Sequence, residues 1–109
     1  DAGLKRYFDF MAKYYPDGDK DSNFNTYGYA TAQMLVTVLK ACGDDLTREN
    51  VMKQAASMKG VTTDIALPGI KANTSATDYR VNKQLQMMKF NGERWELFGP
   101  IIEDTGPAG

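Results

Sequence analysis

At 109 residues the chain has room for one modest domain and not for two. With 42% hydrophobic residues, 25% charged residues and a net charge of -1, it carries no excess of either sign, so nucleic acid and anionic membrane, which need a basic face, are excluded as default partners. The longest apolar stretch, Met34-Leu35-Val36 with Val38-Leu39 after one threonine, falls far short of the roughly 20 residues that cross a bilayer.

The opening Asp1-Ala2-Gly3-Leu4-Lys5-Arg6 does not lead from basic residues into an apolar core, so it reads as the start of a mature or truncated protein rather than a secretory leader. From Leu4 to Tyr15 the residues Leu4, Tyr7, Phe8, Met11, Tyr14 and Tyr15 recur at helical spacing, with Lys5, Arg6, Asp9 and Lys13 on the other side. Pro16 ends this first helix, and Asp17 to Asn23, built of charge and turn formers, reads as a solvated loop.

A second helix is expected from Asn25 or Thr26 to Cys42, closed by Gly43. Between Tyr29 and Cys42 its polar residues are few, and Gln33, Thr37 and Lys40 lie on one narrow stripe. A helix apolar around most of its circumference belongs between other layers of structure. The lone Cys42 has no internal disulfide partner and reads as a small buried hydrophobe near the helix end.

The third helix is signalled by Leu46-Thr47-Arg48-Glu49-Asn50-Val51. Thr47 can cap the free amides, Leu46 and Val51 occupy the positions of a hydrophobic staple, and Glu49 suits the first turn. It should run to about Met58, before Gly60. No sustained period follows from Val61 to Asn82, where short extended pieces are expected around turns. Leu85 to Phe90 and Glu93 to Phe98 then flank Asn91-Gly92, a strong hairpin signal. A two-residue loop there would set Met88 opposite Trp95 and Gln86 opposite Leu97, with Lys89 beside Arg94 on the other face. Asp104 to Gly109 has the composition of a frayed tail.

Little catalytic chemistry is available. Histidine is absent, which removes the commonest general base and zinc ligand and any Ser-His or Cys-His pair. Asp17, Asp19 and Asp21 match the first ligands of a calcium loop, but Ser22 stands where its glycine belongs and Gly28 where its closing glutamate belongs. No phosphate-binding loop is present, and the adjacent Asp44 and Asp45 read as helix-entry residues. Asn73-Thr74-Ser75 is formally a glycosylation sequon, a pattern that chance also produces. The expectation is a non-enzyme without metal or cofactor.

One cluster suits ligand recognition: Phe24-Asn25-Thr26-Tyr27-Gly28-Tyr29, aromatic and amide side chains crowded at a helix entrance. Two readings stand for it, core packing and the wall of a small-ligand site.

Several separate strings then fall together: Tyr27-Gly28-Tyr29-Ala30, the run from Leu39 to Met52, Leu67-Pro68-Gly69-Ile70, Asn73-Thr74-Ser75, and Lys89 to Trp95. In this order the chain resembles the closing segment of the solute-binding proteins of branched-chain amino acid ABC transporters. The resemblance implies an α/β parent, a two-lobed type I periplasmic binding protein of doubly wound lobes joined by hinge strands. Residues 1–109 would be its C-terminal segment, a single incomplete domain of about three α-helices plus a C-terminal β-hairpin. It further implies a periplasmic location, a small-molecule ligand such as an aliphatic or aromatic amino acid or related acid, and ABC membrane subunits as partners. Phe24, Asn25 and Tyr27 become the candidate ligand contacts, Phe24 first. The alternative is a small independent helical interaction or regulatory domain that homodimerises to hide its apolar helix. A segment expressed alone is expected to self-associate.

Overall fold

Helices start in this chain where a short polar side chain can reach free backbone amides. Asp1 accepts from the amides of Gly3 and Leu4, at 2.7 and 3.2 Å, Ser22 from Phe24 at 3.3 Å, and Thr47 from Asn50 at 3.3 Å. In a computed structural model describing residues 1–106, these caps open α1 (Ala2–Tyr14), α2 (Asn23–Cys42) and α3 (Arg48–Ala55). The antiparallel strands β1 (Gln84–Phe90) and β2 (Trp95–Glu103) follow. Three helices and a C-terminal hairpin are thus the architecture. Pro107, Ala108 and Gly109, the end of the expected frayed tail, lie outside the described residues.

Element ends depart from the sequence expectation for local reasons. The second helix starts at Asn23 because Ser22 caps it, while Asn25 Nδ2 donates to the Asp19 carbonyl at 2.8 Å and ties the preceding loop to the first turn. The third stops at Ala55 rather than near Met58. There Thr74, buried, donates to the Ala55 carbonyl at 2.6 Å and accepts the Met58 amide at 3.0 Å, taking over the hydrogen bonding of the last turn. This gives the central residue of the sequon a structural role. Asp45 enters the helix as expected, accepting both the amide and the hydroxyl of Thr47. Of the staple, Val51 packs on the core while Leu46 remains exposed.

The hairpin register is corrected by two residues. Phe90 pairs with Trp95 and Met88 with Leu97, so Asn91 to Arg94 form a four-residue loop. A two-residue type I' turn would need positive φ at Asn91. Instead the Asn91 side chain accepts the amides of Glu93 and Arg94, both at 2.9 Å, and only Gly92 takes positive φ in that loop. Lys89 therefore faces Glu96, and Arg94 lies in the loop. Gly99 and Pro100 interrupt the ladder farther along, where the register shifts between Leu85 and Met87. The tail is also more tethered than its composition suggests: the Asp104 amide donates to the Lys83 carbonyl, and Arg80 bonds both Asp104 and the Gly106 carbonyl at 2.8 Å.

Two small cores hold the helices. Val38 and Cys42 of α2 meet Met58, with Val51, Ala55, Val61 and Val81 around them. Tyr7, fully buried on α1, sets its ring edge against Tyr29 of α2 at 5.2 Å.

The remaining apolar surface is extensive. Leu35 and Val36 on α2 are about half exposed, as are Met88, Leu97, Met87 and Phe98, which alternate onto opposite faces of the hairpin. Accessible surface totals 8245 Å², against about 6,000 Å² for a compact monomer of this mass. The radius of gyration is 16.1 Å, where about 13 Å is usual for this length. Both numbers describe a chain more open than its length suggests, and the exposed apolar residues of α2 and the hairpin are part of that open surface.

Candidate functional site

The face of α2 carrying Phe24, Gly28, Ala32 and Val36, at four-residue spacing, forms one wall of an open groove of about 890 Å³. The opposite wall is the connection from Thr62 to Pro68, and Arg6, Phe10 and Met11 of α1 close one side. Phe24 stands at the helix entrance with 90% of its surface exposed, lining the groove rather than packing as core.

The three candidate contacts do not share one cavity. Phe24 and Asn25 both line this groove, Asn25 half-buried and held by its bond to Asp19. Tyr27 points to another side of α2, where it borders a second concavity of about 420 Å³ with Thr31, Ile65 and Ile70. Tyr29, the remaining aromatic of the cluster, is half-buried and works in the packing between α1 and α2.

The polar centre of the groove is Asp64, which sequence patterning did not single out. Its Oδ1 accepts from Arg6 Nε at 2.9 Å and Nη2 at 2.6 Å. Its Oδ2 accepts from the Tyr29 hydroxyl at 2.9 Å and Gln33 Nε2 at 2.7 Å. The Asp64 amide in turn donates to Gln33 Oε1 at 2.9 Å. One carboxylate thereby fastens α1, α2 and the Thr62–Pro68 wall to each other. The Arg6 guanidinium, helped by the two side-chain donors on α2, holds the Asp64 carboxyl down at about 2 against the opposing effect of burial. Burial, reinforced by the bond to Asp64, pushes the Tyr29 phenol up.

Part of this hub was visible in advance. Gln33 stood out as a polar residue on an apolar helix, and the structure shows why it is there. Arg6 lies on the solvent side of α1, largely exposed, and from there reaches across to Asp64. Asp64 itself lay in a stretch without period, where spacing gives no cue.

Both oxygens of Asp64 are engaged within the fold, and the groove surface around this polar centre is mostly apolar. Among the described residues no three His, Cys, Asp or Glu side chains converge as a metal site would need. Asp19 of the former calcium string accepts the Asp21 amide and shapes a turn.

Gly28 contrasts with its neighbours. Inside a helix, glycine costs about 0.8–1 kcal/mol relative to alanine, and a Cβ built at Gly28 would meet nothing within 4 Å.

A family model described as periplasmic binding protein matches residues 1–94, a stretch that takes in all three helices, the long connection and β1. No curated protein and no solved structure matches the chain.

Proposed function

The chain belongs to the periplasmic binding protein family, and from that premise we propose that it is the closing segment of the two-lobed solute-binding component of an ABC importer, serving branched-chain amino acids or related small acids. Its role is binding without catalysis, in the periplasm, with the importer's membrane subunits as partners of the full-length protein. Phe24 carries the reading: a large aromatic, 90% exposed, at the first turn of a long helix and at the mouth of a groove. Such a residue gains by covering the apolar part of a small ligand. Asn25 beside it is the second contact. Tyr27, on another side of α2, belongs to the same proposed set only if the ligand or the second lobe reaches around the helix entrance.

The segment reading is supported by the surface left open. An excess of roughly 2,000 Å² is more than the approximately 800 Å² each partner buries in an ordinary interface, and closer to what an obligate partner or a missing layer of the same fold covers. Upstream sheet packed on α2 and added at the hairpin would supply that cover.

Two measurements test the proposal. A thermal-shift screen of the full-length protein against leucine, phenylalanine and benzoate should give a hit, and Phe24→Ala should weaken that hit about tenfold, the cost of losing a partly buried aromatic contact. Unchanged affinity removes Phe24 from the site. Taken alone, residues 1–109 should self-associate through the open faces of α2 and the hairpin. Light scattering that reports a monodisperse monomer counts against the segment reading.

A further inference from the structure

Among the described residues, Gly28 is the glycine for which the chain itself gives no reason. Gly43, Gly60, Gly69, Gly92 and Gly99 take positive φ, while Gly3, Gly18 and Gly106 have atoms close to where a side chain would begin. Gly28 does neither: it lies within α2, exposed, with open space around its missing Cβ. Alanine would make the better helix. A residue that weakens its own helix and accommodates nothing in its own fold leaves its backbone bare for something outside it.

That bare backbone is one helical turn from Phe24, on the same wall of the same groove. We propose that Gly28 is a specificity-determining position of the ligand site, a notch in which the branched or aromatic side chain of a small acid rests on the helix backbone while Phe24 covers it. The inference rests on the binding site proposed above and adds a size limit to it. Phe24 supplies an apolar surface, Ala32 keeps the next turn low, and a side chain at position 28 would project into the open space between them.

The competing explanation is that a layer of the parent fold packs on Gly28. Substitutions separate the two, because helix propensity and ligand space respond in opposite directions. In the full-length protein, Gly28→Ala and Gly28→Leu should leave the ligand-free melting temperature unchanged or raise it. Affinity for whichever of leucine, phenylalanine or benzoate binds the unsubstituted protein should fall about tenfold for Gly28→Ala, and further for Gly28→Leu. Retained affinity in both variants overturns the proposal, as does a lowered ligand-free melting temperature, which assigns the notch to packing. If Phe24→Ala weakens binding and the Gly28 variants do not, only the notch fails. If no probe binds the unsubstituted protein, the proposed site and this inference fall together.

Discussion

Gly3→Ala is expected to lower stability by roughly 2–3 kcal/mol, in the range found when a well-packed contact is overfilled. Gly3 is buried in the first turn of α1, and a Cβ there would run into the Asp64 carbonyl oxygen. That neighbour is backbone, so no flexible side-chain end can swing away. Relief requires α1 and the Thr62–Pro68 wall to separate, which also pulls the Asp64 carboxylate from Arg6 on α1. The urea midpoint should therefore fall with little change in slope. Gly28→Ala on α2, where nothing stands in the way, serves as the control and should not fall at all. A midpoint for Gly3→Ala equal to that of the unsubstituted protein would show that the close approach of α1 to the connection is absent in solution.

The difference between these two glycines indicates where sequence reasoning works on this chain. The helices were legible because their determinants are local: Thr47, a short polar cap before an amphipathic run, and Gly43, a residue free to take φ of +60° after Cys42. The hairpin was legible in kind and misplaced in register, since the choice between loop lengths was made by the Asn91 side chain bonding two amides ahead, which residue type alone leaves open. Asp64 was not legible at all. Its partners Arg6, Tyr29 and Gln33 lie 58, 35 and 31 positions away, and each looks ordinary in its own element. The over-apolar α2 was legible in the strongest sense, as a surplus, because the exposed Leu35 and Val36 remain without cover in the fold.

Asp64→Asn should cost roughly 1–2 kcal/mol, a figure kept low because Arg6 is largely exposed and water screens its share of the attraction. The isosteric amide keeps the shape of the side chain and changes its bonding. One oxygen remains to accept, while the new NH2 meets Gln33 Nε2, a donor that cannot reverse without giving up the Asp64 amide held by Gln33 Oε1. The Tyr29 hydroxyl can rotate, so the deficit concentrates on Gln33. The pH dependence follows from the same contacts. The Asp64 carboxyl titrates at about 2 in the folded protein, below the usual 3.8, so its contribution is complete above about pH 4 and is lost as pH falls through the folded value. The gap in stability between the unsubstituted protein and Asp64→Asn should accordingly be widest at neutral pH and close between about pH 4 and 2. Acid sensitivity will persist in the variant, because Asp78, held ionised by Arg80 and Lys83, is depressed as well. Urea titrations of both proteins at pH 7 and pH 3 measure the gap directly. If it stays constant, Asp64 does not hold the groove wall through its charge, and the joint rests on the Asp64 amide bonded to Gln33 Oε1 and on Tyr29 packed against Tyr7 and Phe10.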